Sequence, residues 1–233
     1  MLPTRTTGPA DSRVQSGMAI TFLRVVVLGL ALVIGCAPAV AQGQSPAPAA
    51  GATEALFDGK TLGGWRPAKF SGQGAVKAEN GTLVLESGND LTGVTWAGAA
   101  LPTTNYELTL QAMRVEGNDF FAGITFPVDK SFCSLILGGW GGNVVGLSSI
   151  NDLDASENST SQSMVFEKQR WYTVRIRVTP EQIDTWLDEK HIISQELKGN
   201  RIGVRMEVEA SQPLGIASWR TRSALRDIRL RRL

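Results

Sequence analysis

This chain is short of the residues that build many catalytic centres. Of its 233 residues, two are cysteine and one is histidine. Cys36 falls in an apolar leader, so Cys133 stands alone beyond residue 41 and no intrachain disulfide is open to that part. Cys133 lies in the run Ser131-Phe132-Cys133-Ser134-Leu135-Ile136-Leu137, which reads as a strand burying a small hydrophobe. A nucleophilic thiol would want a base beside it. His191, just past a hairpin turn, is too little for an imidazole-based metal centre or a Ser-His-Asp mechanism. Excess charge is missing too. The chain has 23 basic and 22 acidic residues; residues 1–41 hold three Arg and one Asp, leaving 20 and 21. That balance offers no overall electrostatic grip on nucleic acid or an anionic membrane. Helical periodicity is almost absent.

The ends read differently from the rest. After Arg5, Arg13 and Arg24, an apolar run from Val25 to Ala41 is broken by Cys36 and Pro38. That pattern is a secretory signal, too short and interrupted for a membrane span, and Met18 would give it an ordinary length. Ala39-Val40-Ala41 offers a small-x-small cleavage site before Gln42. Val33-Ile34-Gly35-Cys36 offers instead a lipobox that would leave Cys36 lipidated. Both readings export the protein, to the periplasm or beyond, and leave the membrane a role only through the signal or that anchor. Residues 42–54 form a Pro/Ala/Gly-rich linker with little to bury, and residues 55–233 suffice for one domain with a sizeable core.

Within that domain apolar and polar residues alternate. Tyr172, Val174, Ile176 and Val178 interleave with Trp171, Thr173, Arg175 and Arg177. Tyr106, Leu108, Leu110 and Ala112 interleave with Glu107, Thr109, Gln111 and Met113. Each pattern predicts a strand with one core face. Residues 82–86, 120–128, 183–187, 191–197, 214–219 and 225–233 are further strand candidates. Asn80-Gly81 predicts a tight hairpin and Asp188-Glu189-Lys190 a second. A short helical turn is expected near residues 199–206. Many short strands without intervening helices predict an all-β, antiparallel sandwich of the jelly-roll kind.

The most distinctive stretch is residues 138–160, Gly-Gly-Trp-Gly-Gly-Asn-Val-Val-Gly-Leu-Ser-Ser-Ile-Asn-Asp-Leu-Asp-Ala-Ser-Glu-Asn-Ser-Thr. Glycines allow sharp turns and close approach, and such segments on a rigid scaffold are where function concentrates.

Several stretches resemble the 3-keto-disaccharide hydrolase domain family. Ala55-Leu56-Phe57-Asp58-Gly59-Lys60-Thr61-Leu62-Gly63-Gly64-Trp65 is similar to its opening motif, and Glu79-Asn80-Gly81-Thr82-Leu83 to its first hairpin. Phe121-Ala122-Gly123-Ile124-Thr125-Phe126, Trp171-Tyr172-Thr173-Val174-Arg175-Ile176 and Leu225-Arg226-Asp227-Ile228-Arg229-Leu230 resemble later strands. The resemblance runs from Ala55 to Leu233. It implies a concanavalin A-like or laminin G-like jelly roll, carbohydrate ligands and, for some members, cleavage of glycosides oxidised at C3. The chain departs from the family where Phe132-Cys133-Ser134-Leu135-Ile136-Leu137-Gly138-Gly139-Trp140 replaces a polar strand pattern, and in lacking histidines common elsewhere.

A 3-keto group acidifies the proton on C2, so elimination at C1 asks for a base, a proton donor and groups to hold an enolate. Asp152, Asp154 and Glu157 are the candidate acids and bases; a solvated acidic loop is the competing reading. Asn143 and Asn158 are candidate donors to substrate. Trp140 and Trp219 are candidate sugar platforms, while Trp65 reads as core. Arg114 and Asp119 flank the Gly117-Asn118 turn and would face the same cleft, unless they form a surface ion pair. Asp152, Asp154, Glu157 and Asn158 also have a spacing that could gather oxygens around calcium, though short of a full ligand set. No cofactor is otherwise expected. A Glu-x-Asp-x-Glu strand, the mark of direct two-carboxylate glycosidases in related jelly rolls, is lacking. The expected ligand is an oligosaccharide or glycoside, with the alternative that the domain binds glycans without catalysis.

Overall fold

The computed structural model describes residues 51–233. The leader, both cleavage sites and the linker as far as residue 50 lie outside the described residues. Fifteen strands follow in chain order among the described residues. They are β1 Thr53–Ala55, β2 Trp65–Pro67, β3 Val76–Glu79, β4 Thr82–Leu85, β5 Leu91–Trp96, β6 Tyr106–Glu116, β7 Ala122–Val128 and β8 Ser131–Gly139. Then come β9 Val144–Ser148, β10 Gln162–Ser163, β11 Trp171–Val178, β12 Gln182–Leu187, β13 Lys190–Glu196, β14 Gly215–Trp219 and β15 Arg222–Arg232. A 3-10 helix at Met206–Ser211 is the one helix among them, slightly later in the chain than the helical turn expected from the sequence.

The strands form two antiparallel sheets. One runs β13-β12-β11-β6-β15-β4-β3, with β1 also on β15; the other runs β10-β9-β8-β7-β14-β5-β2. About half of the adjacent pairs join strands that are not neighbours in sequence, such as β6 with β15 and β7 with β14, so the chain crosses repeatedly between sheets, as in a jelly roll. Alternation places Leu108, Leu110, Val174, Ile176, Leu225 and Ile228 of the first sheet against Ile124, Phe126, Leu135, Leu137, Leu147 and Ile216 of the second. Trp65 is in this core, its indole N–H donating to the Leu56 carbonyl at 2.9 Å, and Cys133 is fully buried there. Burial pushes the Cys133 thiol up to about 12.

Both expected hairpins form. Asn80 and Gly81 adopt φ of 50° and 78° between β3 and β4. Asp188 and Glu189 adopt 46° and 66° between β12 and β13. Two positive φ values match the I′ turn that suits strand twist. Neither Asp188 nor Glu189 is glycine, but the Asp188 carboxylate accepts from the Thr173 amide at 2.9 Å and from Arg170 at 2.8 Å.

The second sheet is covered on both faces. Every residue of β5 and of β7 is buried. Small residues facing away from the core let loops lie on the sheet. A Cβ at Gly146 would come within 2.7 Å of the Ala155 carbonyl, and one at Gly215 within 2.4 Å of the Ser211 carbonyl. Where the covering loops part, a pocket remains.

Candidate functional site

That pocket, of about 260 Å³, opens on the face of the second sheet turned away from the core. Its floor is Ser134 and Ile136 of β8, Ser148 of β9 and Leu91 of β5. In an alternating strand these are the positions opposite Cys133, Leu135, Leu147 and Val94. The Ser134 hydroxyl shares a 2.8 Å hydrogen bond with Thr125. The Ser148 hydroxyl is buried without a protein partner, a donor and acceptor left for whatever fills the pocket. Phe120, Trp140 and Trp219 form the walls. Phe120 and Trp219 stand 6.5 Å apart with ring planes 37° from parallel. Trp140 is 42% exposed, so its ring is open to a ligand.

Trp140 is presented by the glycine-rich turn between β8 and β9. It holds φ of 49° between Gly138 at 74° and Gly141 at 89°. A bulky residue in the left-handed region is strained, at a cost of order 1–2 kcal/mol. The neighbouring packing imposes it. Arg114, 5% exposed, lies beneath the turn and donates to the carbonyls of Gly138 at 3.2 Å, Gly142 at 2.9 Å and Phe166 at 3.4 Å. A Cβ on Gly138 would strike that guanidinium at 2.2 Å. Asp119 ties the tip from the other side, accepting from the Gly141 amide at 3.2 Å and from the Phe120 amide at 2.7 Å.

The remaining wall is Arg205, Glu207 and Val208, at the start of the 3-10 helix. Arg205 pairs twice with Glu207, at 2.6 and 3.3 Å, and reaches Asp154 at 2.6 Å. The hydrogen bond from Arg205 holds the Glu207 carboxyl below the usual carboxylate range, and Glu207 in turn raises Arg205.

The structure brings together Trp140, Trp219 and Asp119 on this pocket. Arg114 is not a lining residue and forms no ion pair with Asp119; it carries the loop instead. Asn143 is exposed and donates to the Ser163 hydroxyl at 3.0 Å. Asn158 is buried, donating to the carbonyls of Leu147, Leu153 and Asp154 and accepting from Thr160, so it braces the acidic loop. The three loop carboxylates do not converge. Asp152 pairs with Arg201 on the surface. Asp154 takes the Ser156 amide and hydroxyl and the Arg205 guanidinium. Glu157 is exposed. Among the described residues no group of three or more His, Cys, Asp or Glu is placed to hold a metal. His191 meets Asp184 at 3.0 Å and lies against Trp186, away from the pocket.

Sequence reasoning missed Arg205, Glu207, Phe120, Ser134 and Ser148. The alternation that marked the core face of β8 and β9 also marks the opposite face, where serine and glycine stand instead of large side chains. Nothing in the local pattern of residues 199–213 signals that this stretch folds onto the sheet.

The fold is that of several solved carbohydrate-related proteins. A glycosyl hydrolase candidate from Parabacteroides distasonis is similar with a TM-score of 0.52 at 12% identity, over 78% of this chain and 94% of that one. The Crh5 transglycosylase in complex with NAG is similar with a TM-score of 0.55 at 11% identity, over 77% and 83%. No curated protein sequence matches the chain. Residues 52–231, nearly all of the described domain, match the family model of the 3-keto-alpha-glucoside-1,2-lyase-like domain, and the chain belongs to that family.

Proposed function

We propose that the pocket binds one ring of a glycoside already oxidised at C3, in a protein exported through its N-terminal leader, and that Glu207 is the base that opens it. The observation behind this reading is that Trp140, Trp219 and Phe120 surround the same small space as Glu207, Arg205 and Asp119. Aromatic faces suit the C–H surfaces of a sugar ring, and the volume, just under the usual ~300–1,000 Å³ of small-molecule sites, suits one ring rather than a chain.

In the proposed reaction Glu207 takes the C2 proton, and the C–H electron pair forms the C2–C3 double bond with charge on the C3 oxygen. Arg205, beside Glu207, is placed to hold that charge. The enolate then collapses, the C1–O bond breaks, and the departing oxygen is protonated as Glu207 gives up its proton. The products are the free alcohol and a 1,2-unsaturated 3-keto sugar. Water adding across that double bond completes hydrolysis. The base is restrained at rest, because Arg205 lowers its proton affinity; drawing Arg205 to the substrate oxygen would release it.

That restraint also favours a second reading, recognition without catalysis. The purified protein, incubated with 3-keto-glucosides and their unoxidised parents with and without EDTA, separates the two. Release of the alcohol from keto substrates alone, with at least a hundredfold loss in Glu207→Gln and little change in Glu157→Gln, is the expected result. Binding without release, abolished by Trp140→Ala, would leave a recognition module. Loss in Glu157→Gln but not Glu207→Gln would return the chemistry to the acidic loop.

A further inference from the structure

The outward face of the eight-stranded sheet carries an arrangement that the pocket does not use. Strands β11, β6 and β15 pair side by side there, β15 carrying a bulge at Asp227 between its Arg226 and Arg229 rows. Arg177, Glu107 and Arg231 form one row across the sheet; Arg175, Thr109 and Arg229 form the next; Thr173, Gln111 and Arg226 form the third. Two columns of arginine therefore flank a central furrow floored by β6. With neighbouring strands about 4.8 Å apart and alternate residues about 6.5–7 Å apart, the columns stand roughly 10 Å from each other and repeat along the furrow. A hollow of about 220 Å³ lies in it, lined by Thr109, Gln111, Thr173 and Arg229 with Asp227 at its edge, and one of about 340 Å³ beside it is lined by Arg175 and Trp186 with Glu189 at its edge.

On the three strands five guanidiniums meet two carboxylates, Glu107 and Asp227; beside them Asp184 of β12, opposite Arg177, is engaged by Gln182 and His191, and Glu189 borders one hollow. Glu107 is buried and shared by Arg175 at 3.3 Å, Arg177 at 3.2 Å and Arg231 at 3.1 Å. One carboxylate among three guanidiniums leaves donors unspent. The side chains are also held in place. Arg175 lies 3.7 Å from the centre of the Trp186 ring and Arg226 4.1 Å from that of Trp171. Stacking flattens a guanidinium on the sheet and fixes its outward fork of N–H groups, the geometry that takes carboxylate or sulfate oxygens two at a time.

We propose that this furrow is a second binding site and that its ligand is a linear anionic polysaccharide. The charge on its walls selects an anionic ligand. Its repeat along β6 selects a polymer over a single small anion. The hydroxyls of Thr109 on its floor and of Thr173 on its β11 wall, the latter accepting from the Gln111 amide, match the hydroxyls of a sugar chain. A furrow one strand wide does not admit a nucleic acid duplex. A membrane surface would want exposed apolar side chains to insert, and among the described residues Trp140, Leu153, Val165 and Met206 lie on the loops of the other sheet, with Leu233 at the end of β15. The near-neutral total charge of the chain does not reveal these rows, because a total does not record where the arginines stand.

The test compares dextran sulfate and polygalacturonate with plain dextran, using the purified protein. The sulfate and carboxylate arms separate the two anionic groups. Expected is retention of at least one polyanion and not of dextran, weakening about tenfold or more as salt rises from about 50 to about 300 mM. Arg175→Gln with Arg229→Gln should weaken it about tenfold further, and Trp140→Ala should leave it unchanged, which keeps this site distinct from the pocket. Arg229→Gln alone, a 55% exposed side chain whose one ion-pair partner is Asp227, gives a variant whose folding is not at stake. Protection of Arg175, Arg226 and Arg229 from phenylglyoxal by the bound polymer reads the unaltered protein. No binding of either polyanion, equal binding of dextran, insensitivity to the arginine changes, or capture by phosphatidylglycerol vesicles and not by polysaccharide would overturn the proposal.

Discussion

Removing Arg114 should damage the pocket without touching it. The guanidinium is 5% exposed and has no carboxylate within ion-pair distance; its partners are three carbonyls and two aromatic faces. The bonds to Gly142 and Gly138, at 2.9 and 3.2 Å, are charge-assisted and worth about 1.5–3 kcal/mol each, and the 3.4 Å bond to Phe166 adds little. Its position 5.1 Å from the Phe121 ring centre and 5.8 Å from that of Phe166 contributes about 1–2 kcal/mol more. Against this stands the cost of burying an ion, several kcal/mol, the same cause that lowers its pKa. Arg114→Ala also leaves a void and bare carbonyls, so the expected net loss is about 3 kcal/mol, a fall in Tm of about 6–12 °C for a domain of this size. Arg114→Met fills the volume and abolishes the buried charge; its loss should be about 1–2 kcal/mol. Urea unfolding measures both. Hydrogen exchange should show the amides of Gly141, Gly142 and Asn143 opening faster in either variant, because their turn has lost its support, and sugar binding through Trp140 should weaken in parallel. If Arg114→Ala stays within about 1 kcal/mol of the parent, or the turn's exchange is unchanged, the buried arginine does not hold the loop and the reasoning fails.

Two other perturbations test the surrounding structure. Burial works against the charge on Glu107, but hydrogen bonds from Arg231 and Arg177 outweigh it and hold its pKa below the ordinary 4.5; its stabilising contribution is therefore complete above that value and lost as pH falls through the lower folded pKa. Glu107→Gln should be less stable than the parent at pH 7, with the gap closing below about pH 4.5, and parallel gaps at both pH values in urea unfolding would contradict this. At Gly215 a methyl group would meet the Ser211 carbonyl at 2.4 Å and the Val94 carbonyl at 2.7 Å, so Gly215→Ala should cost about 1–3 kcal/mol and displace the 3-10 helix that carries Glu207. Unchanged Tm and unchanged ligand affinity in that variant would show that the helix does not depend on close contact with β14.

Much of the architecture was legible along the chain. Period-two alternation named one face of β6 and β11, and the order of strands without helices led to the sandwich. The hairpins at Asn80-Gly81 and Asp188-Glu189 were readable because a two-residue turn is a local object, decided by which residues accept positive φ. Trp140, Trp219 and Asp119 were singled out and all line the pocket, the first because glycines crowd around it in the sequence.

Other assignments depended on distance. Asp152, Asp154 and Glu157 stand close in sequence and disperse in space, each to its own surroundings, because an irregular loop shares no face among its side chains as a strand does. Arg114 appears in sequence as a polar residue beside a turn and is in fact buried under one, since its carbonyl partners come from β8 and from Phe166, 24 to 52 positions away. Glu207 reaches the pocket because residues 199–213 fold onto a sheet whose outward positions are small. The arginine columns depend on the register of β11, β6 and β15, while the total charge is blind to where the charges lie. The residues by themselves determined which segments extend, where they turn and which face of each is apolar, since these follow from sterics and hydrophobicity over a few positions. Only the tertiary structure decided which polar groups meet, because hydrogen bonds and charges act over a few ångströms and the contacts that matter here join strands far apart in the chain.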